Sequence, residues 1–517
     1  MRPLGGDDRM VEVVTLGEAM LRNVNSAAGL LQTVGGAELN VAVALAQLGR
    51  NASWLSAVGD DDGGLRILDE ATRVGVDTSS VLVLAEHPTG EYTVDFAAEK
   101  VEYQRTDSAF ANLSHTMFAP SLRKLISGAR WIHLTGITPQ LGELAKGTWS
   151  TAMAAAELDG INISLDLNHR AALAEWDELW EIVEPHLRKI HLLTLSVSDL
   201  ENINRRYELL SGTPAIEDLV AAVRSRWLVT WVACTVKERQ PDGSQTRWST
   251  VAGPHGVGST RETPTSQCPV EALGGGDAWL AALLDGMLAN MSLEENLLRA
   301  DSYAALAQSS PGDLSTITKE QLDGNFIQAT LERLKAAKTI AILRGTKPDL
   351  LVERATELVN SGITALEVTL DSTDALETLQ RIRANSPPDI LIGVGTVSNP
   401  LEQLPIANSH GAVFCLAPDF PTDIIEVAQQ LRMQAIVGAA NLRQVADAVT
   451  SGAKAVKLFH AEKDWDGKTL MECQLNHPEI TFVPVGGIGL EDRERWESRG
   501  FTVLGMGEKL AGSDLKT

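Results

Sequence analysis

Ala455-Val456-Lys457-Leu458-Phe459 is a short apolar run with one lysine at its centre. A run of that length, rich in aliphatic residues and bounded by turn residues, reads as a buried β-strand. Seven more lie along the same third of the chain: Thr339–Arg344, Ala365–Leu370, Leu391–Thr396, Val413–Ala417, Gln434–Gly438, Ile480–Val485 and Phe501–Leu504. Each is followed by a helical segment, often closed by a glycine such as Gly362, Gly411, Gly452 or Gly500. About eight strand–helix units in strict alternation predict a (β/α)8 barrel near the compact end of its size range. Lys319 to Lys338 reads as a helical linker or lead-in helix, so the expected division is residues 1–325 and 326–517.

Inside that barrel, Lys457 is costly as an ammonium, and desolvation lowers its pKa toward a nucleophilic free amine. The rival reading is a lysine whose stem packs while its head reaches solvent. Glu367, in Ala365-Leu366-Glu367-Val368-Thr369-Leu370, is a carboxylate in a second barrel strand, with a core ion pair as its rival reading. A lysine and a glutamate in one barrel mouth suit imine formation followed by proton shuttling. The turns Gly393-Val394-Gly395-Thr396 and Gly486-Gly487-Ile488 end strands, where glycine lets backbone amides meet a phosphate.

The first part of the chain has a different rhythm. Val11–Gly17, Ala52–Gly59, Trp131–Gly136, Ile161–Asn168 and His191–Ser196 read as buried strands, with helices at Glu38–Leu48 and Ala278–Met291. Glu91–Phe96 and Val101–Arg105 alternate like a hairpin or edge ribbon, giving an α/β layered domain with a β appendage. Its strongest local signal is Gly274-Gly275-Gly276-Asp277-Ala278-Trp279. Glycines opening an apolar helix leave N–H groups free to face an anion, and an Asp there can take a proton from an attacking hydroxyl. Phosphoryl transfer uses both parts. Taken alone, the run reads equally well as a plain turn with Asp277 as N-cap.

Bulk properties narrow the field. The 517 residues favour two or three domains, and 44% hydrophobic with 22% charged residues is a globular composition. A formal charge of -24 argues against nucleic acid and anionic membrane as partners. Met1 to Met10 has no apolar core, so no signal peptide is expected, and the longest apolar stretches, such as Leu228–Val236, fall far short of a membrane span. Cys234, Cys268, Cys415 and Cys473 are scattered, which fits a reducing cytoplasm better than a disulfide framework or metal site.

Further pieces of the first part are Leu16-Gly17-Glu18-Ala19-Met20, Gly35-Gly36-Ala37-Glu38-Leu39-Asn40 and Val58-Gly59-Asp60-Asp61. With them go Tyr103-Gln104-Arg105 followed by Ser108-Ala109, then Asp166-Leu167-Asn168-His169-Arg170 and Pro311-Gly312-Asp313. Together with Gly274–Asp277 they resemble the ribokinase-like sugar kinases, and more narrowly the 2-keto-3-deoxygluconate kinases, over Val11 to about Asp323. The resemblance implies a ribokinase-like α/β sandwich that uses ATP and Mg²⁺. It implies that Gly35, Tyr92, Tyr103, Arg105 and Arg170 hold a keto-acid, arginine being suited to bidentate grip of a carboxylate. Asp277 would be the base and the amides of Gly274, Gly275 and Gly276 the anion hole. Where the family commonly has an Asn-x-x-Glu element for Mg²⁺ and its waters, this chain has Ser196-Val197-Ser198-Asp199, leaving Asp199 to reach Mg²⁺ through water and no direct metal ligand. Ala233-Cys234-Thr235-Val236-Lys237 stands where a Thr-Leu-Gly nucleotide element is usual.

Ala341-Ile342-Leu343-Arg344-Gly345, Leu366–Leu370, Gly393–Val397, Val456–Phe459 and Val485-Gly486-Gly487-Ile488 resemble the 2-keto-3-deoxy-6-phosphogluconate and 4-hydroxy-2-oxoglutarate aldolases, over about Thr339 to Leu510. That resemblance implies Lys457 as imine lysine, needing no cofactor, and Glu367 as acid/base. It implies Arg344 and Thr396 at the pyruvyl end and Gly486 and Gly487 at the phosphate. Three positions differ from the family: Asp371 stands for an arginine, His460 for a proline, and Glu508 for a serine near the phosphate. The combined expectation is a bifunctional enzyme of sugar acids and nucleotide, homo-oligomeric and, by analogy with such aldolases, trimeric. Its rivals are an aldolase with an impaired kinase domain and a non-catalytic sugar-acid-binding regulator.

Overall fold

The computed structural model describes residues 10–512 except 27–28, 96–99, 241–243, 268, 271–273, 310–311, 388–389 and 422. Cys268, Pro311 and Phe96 therefore lie outside the described residues. The chain divides into two compact units, Met1–Leu322 and Asp323–Thr517.

The first unit is built on a mixed sheet. Val13–Leu16 sits between Ala52–Leu55 and Trp131–Thr135, and Asn162–Asp166, Leu192–Leu195 and Trp231–Arg239 continue outward, all parallel. These strands are apolar on both faces because helices cover both, the sequence signature of a parallel sheet. Val14, Ile132 and Leu193 face one buried cluster while Val13, Trp131 and Leu192 face another. The sheet ends in an antiparallel ribbon, Trp231–Arg239 with Gln245–Gly253, edged by Gly256–Ser259 and Thr265–Gln267.

The expected strand Ala52–Gly59 is two strands. Ala52–Leu55 joins the main sheet, whereas Ala57–Gly59 pairs with Leu82–Leu84. The break falls at Ser56, whose hydroxyl donates to the carbonyl of Gly17 at 2.7 Å while its own carbonyl accepts from the amide of Leu82 at 3.0 Å. The β appendage is a four-stranded sheet, and two of its strands, Met20–Ser26 and Gly29–Gly35, were not expected. They pair with the expected ribbon, found at Glu91–Asp95 and Lys100–Gln104. The charged, fully buried Arg22 in Met20–Ser26 breaks the apolar pattern by which a strand is recognised.

The helix expected at Ala278–Met291 spans Gly275–Leu288. Only Gly274 is left-handed, at φ 68°, and it is the N-cap, so Asp277 is the third helical residue and not the cap.

The second unit is a closed barrel of eight parallel strands: Thr339–Leu343, Ala365–Thr369, Leu391–Gly395, Phe414–Leu416, Gln434–Ala439, Ala455–Phe459, Thr481–Val485 and Leu504–Met506. The last begins three residues later than expected. Phe501 instead packs edge-on against Trp496 as a lead-in, and the register that closes the barrel is Thr339↔Leu504 and Ala341↔Met506. Alternate residues point inward or outward. Outward positions such as Leu366, Val368, Val456 and Leu458 pack under the helices. Inward Ile340, Ala365, Leu391, Phe414, Ile436, Ala455 and Val483 form a separate core, joined by Leu331 and Leu334 of the helix Lys319–Ala337. Among the described residues no helix is long and apolar enough to cross a membrane, and Cys234, Cys415 and Cys473 are buried free thiols.

Two candidate active sites

In the first unit the Gly35–Asn40 and Gly274–Asp277 runs meet. Asn40, on the helix Ala37–Gln47, donates from Nδ2 to Oδ2 of Asp277 at 2.7 Å and accepts at Oδ1 from the amide of Gly36 at 3.3 Å. Burial pushes the Asp277 carboxyl up to about 6, against the pull of the Asn40 hydrogen bond and the charge of Arg170. Asp166 ends the strand Asn162–Asp166, and burial followed by the charges of Asp277 and Asp199 pushes it up to about 8. Both carboxyls are held above the usual carboxylate range, and the charge of Asp277 is among the causes at Asp166.

A second wall comes from the small sheet. Tyr92 and Tyr103 are directly opposed across the ribbon and stack with centroids 5.5 Å apart. The Arg105 guanidinium lies 5.8 Å from the Tyr103 ring centre, and its Nε donates to Oε2 of buried Glu18 at 2.7 Å. Ser108 donates to the other oxygen of Glu18 at 2.5 Å. Tyr92 donates its hydroxyl to Oδ2 of Asp313 at 2.6 Å, and Arg22 lies 3.7 Å from the same carboxylate. Gly35 is pressed against this pair. A Cβ there would fall 2.4 Å from Oδ2 of Asp313 and 2.8 Å from the Tyr92 hydroxyl.

In the barrel, Lys457 and Glu367 both occupy inward positions, two residues beyond inward Ala455 and Ala365. They are 5% and 1% exposed, and among the described residues neither Glu367 oxygen has a hydrogen-bond partner. Burial lowers the Lys457 ammonium, partly offset by the Glu367 charge; burial raises the Glu367 carboxyl, partly offset by Lys457. Both shifts move the pair toward neutral amine and neutral acid. The Lys457 Nζ lies 5.2 Å from the Phe459 ring centre. At the mouth, Arg344 donates to the Thr396 hydroxyl at 3.0 Å and pairs with Asp371 at 3.4 Å. Thr396 is left-handed at φ 59°, a strained conformation for a β-branched residue of the kind that clusters at functional sites. Gly486 and Gly487 follow the strand Thr481–Val485 at φ 108° and 77°.

Residues 10–320 match the pfkB family carbohydrate kinases, and residues 330–517 match the KDPG and KHG aldolases. The chain belongs to both families. A 2-dehydro-3-deoxygalactonokinase of Haloferax volcanii is 28% identical over 324 residues, 60% of this chain and 95% of that protein. A 2-dehydro-3-deoxy-phosphogluconate aldolase of Haemophilus influenzae is 30% identical over 165 residues, 32% of this chain and 77% of that one. The crystal structure of a 2-dehydro-3-deoxygluconokinase from Thermotoga maritima superposes with a TM-score of 0.56 at 25% identity, covering 61% of this chain and 98% of that one.

The kinase domain thus brings Gly35, Tyr92, Tyr103 and Arg105 into one wall and Asp277 into contact with it through Asn40. Arg170 is exposed, and its charge reaches Asp277 and Asp166. Asp199 lies in a buried hydrogen-bond network. Its Oδ1 accepts from the Trp176 indole at 2.9 Å, and its Oδ2 from the amide and hydroxyl of Ser196 at 2.8 and 2.6 Å. It is the buried partner of a capping box. Among the described residues no group of three or more His, Cys, Asp or Glu is placed to hold a metal ion.

Sequence reasoning gave no role to Glu18, Arg22, Asn40, Asp166 or Asp313, although all but Arg22 fall inside quoted motifs. Their partners lie far away in the chain, 237 residues for Asn40 and Asp277, and no local pattern encodes such a pair. In the aldolase domain Lys457, Glu367, Arg344 and Thr396 gather at one end of the barrel, and Asp371 joins them through Arg344. Glu508 is exposed at the start of the short helix Glu508–Ala511.

Proposed function

We propose that the kinase domain phosphorylates 2-keto-3-deoxygluconate at its terminal hydroxyl and that the aldolase domain cleaves the resulting 6-phosphate to pyruvate and glyceraldehyde 3-phosphate. The observation that carries this is the pairing of the two domains in one chain, since the product of the first reaction is the substrate of the second.

In the first reaction Asp277 takes the proton of the attacking hydroxyl as its oxygen bonds to the γ-phosphorus of ATP and ADP leaves. First-turn amides at Gly274, Gly275 and Gly276 meet the charge that develops on the transferred group. Mg²⁺ enters as MgATP, neutralising phosphate charge. Arg105, Arg170 and the two tyrosines hold the keto-acid, Glu18 fixing the Arg105 fork.

In the second reaction the free amine of Lys457 attacks the C2 carbonyl, and loss of water gives an imine. Glu367 gives its proton to the hydroxyl that leaves as water when the imine forms; the resulting carboxylate takes the C4 hydroxyl proton as the C3–C4 bond breaks, releasing the aldehyde, and passes that proton to C3 of the enamine. Hydrolysis then frees pyruvate and Lys457. Arg344 and Thr396 grip the pyruvyl carboxylate, and the Gly486–Gly487 amides the phosphate. As in the family, this half needs no cofactor.

The test is pyruvate release from 2-keto-3-deoxygluconate with and without MgATP. Release only with MgATP supports the coupled reading. The ion pair of Asp371 with Arg344 favours a second reading, an aldolase of the bare sugar acid, and release without MgATP would select it. Silence in both tubes, with activity on the 6-phosphate supplied directly, would leave the aldolase and remove the kinase step.

A further inference from the structure

The antiparallel ribbon Trp231–Arg239/Gln245–Gly253 sets Lys237 directly opposite Arg247. Directly opposed residues in such a ribbon share a face, and like charges there repel. Arg247 is fully buried. Its Nη1 donates to the carbonyl of Gly275 at 3.3 Å, its Nη2 to Oε1 of Gln308 at 2.8 Å, and among the described residues its Nε has no partner. The acid whose charge reaches it, Asp301, has its Oδ2 engaged by Ser249 and Thr260 at 3.0 and 2.6 Å. Enclosure pushes the Arg247 guanidinium down to about 10. Lys237 is exposed, and among the described residues it makes no ion pair or side-chain hydrogen bond.

Among the described residues, two cations thus share one face with no carboxylate paired to either. That face is turned to the glycine run, because Arg247 holds the carbonyl of Gly275 two residues before Asp277. The charge of Lys237 is felt by Asp277, and those of Asp277 and Asp166 by Lys237. The missing counter-charge is an anion at the mouth of the phosphoryl-transfer site. A polyphosphate there relieves the Lys237–Arg247 repulsion and meets the first-turn amides of the helix Gly275–Leu288.

We infer that Lys237 grips the phosphate chain of the nucleotide, while Arg247 is a positioning residue that fixes the glycine turn behind it. This rests on the reading of the first unit as a nucleoside-triphosphate-dependent kinase. Lys237 ends the stretch Ala233–Lys237, which stands where a Thr-Leu-Gly nucleotide element is usual.

The experiment uses the full chain with Lys237→Met and Lys237→Arg. It measures kcat and KM for ATP in phosphorylation, and calorimetric Kd for ADP and for adenosine. Lys237→Met is expected to raise KM for ATP and Kd for ADP by roughly 10- to 100-fold, the loss of one charge-assisted contact, and to leave adenosine unchanged. Lys237→Arg recovers most of the loss. Pyruvate release from the 6-phosphate by the same preparation stays at the parent rate. Unchanged ATP and ADP affinity in Lys237→Met overturns the inference, as does an equal weakening of ADP and adenosine, which would place the lysine's effect on the pocket as a whole. A parent chain that binds no ADP overturns the kinase reading and this inference with it. A parent that binds ADP while indifferent to the substitution overturns this one alone.

Discussion

Gly395→Ala isolates the space that Glu367 needs. Gly395 ends the strand Leu391–Gly395 and is not left-handed, so alanine fits its backbone and the cost is steric. The added Cβ would fall 1.5 Å from Oε1 of Glu367, 2.5 Å from its Cδ and 3.0 Å from its Cγ. Real Cβ contacts do not go below 3.0 Å, so the carboxyl oxygen must retreat by about 1.5 Å or more. Glu367 is 1% exposed, so the displaced group has to find its new place inside the barrel. Misplacing a reacting group by about 1 Å costs on the order of 100-fold in rate, and overpacking of this kind about 1–3 kcal/mol in stability. The expected result is a drop of roughly 100-fold or more in kcat for pyruvate release from the 6-phosphate. Borohydride would still trap pyruvate on Lys457, because the imine forms on the lysine and the substitution acts on the acid/base. ATP-dependent phosphorylation stays at the parent rate. Turnover of the 6-phosphate near the parent kcat would refute the role of Glu367, and loss of trapping together with turnover would mean the barrel had not folded around Lys457.

Substitutions at Asp277, Lys457 and Asp61 have expected outcomes of their own. Asp277→Asn should lower phosphorylation by about 100- to 10,000-fold and leave pyruvate release from the 6-phosphate intact, read by separate assays of the two steps. In the parent, burial holds Asp277 up to about 6 and the base works ionised, so phosphorylation kcat/KM should fall about tenfold per pH unit below that value; a flat profile down to pH 5 would exclude it as the base. Lys457→Ala should abolish both borohydride trapping of pyruvate and aldol cleavage while phosphorylation continues, and normal pyruvate release would end the imine assignment. Asp61 caps the helix Asp62–Arg73 through the amide of Gly64 at 2.8 Å and accepts from the amide and hydroxyl of Thr89 at 2.8 and 2.7 Å. Asp61→Ala should cost about 1–2 kcal/mol, seen as a lower denaturant midpoint for loss of phosphorylation. Burial opposes ionisation of Asp61, but the donors from Thr89 and Gly64 outweigh it and hold its pKa down. The stability it adds is therefore present above the unfolded carboxyl value and lost as pH falls through the folded one, so the variant's deficit should shrink in acid.

The two sites differ in how far local sequence reaches them. In the barrel, strand position decides both identity and direction: Lys457 sits two residues after inward Ala455, Glu367 two after inward Ala365, and period-two alternation carries both to the interior. A charged residue amid apolar neighbours is visible in the sequence, and so was the expectation that both point into the barrel. The room made by Gly395 was not, because it depends on the register Glu367↔Gly393 between adjacent strands. The kinase site is assembled across the chain instead. Glycines and the aspartate at the start of an apolar helix were legible, but the position of the cap was misjudged because glycine carries little helical signal although Gly275 and Gly276 are helical. The surroundings of Asp199 were hidden for a related reason: a Ser-x-x-Asp run shows a capping box, but not the Trp176 indole that also donates to it. Asn40, Glu18 and Asp313 acquire their partners through sheet order, which joins segments that no window of sequence contains. A barrel site built from inward positions of neighbouring strands therefore shows in the sequence residue by residue. A site between a sheet and its appendage shows first as scattered motifs, and its electrostatics appear only once those motifs are folded onto one another.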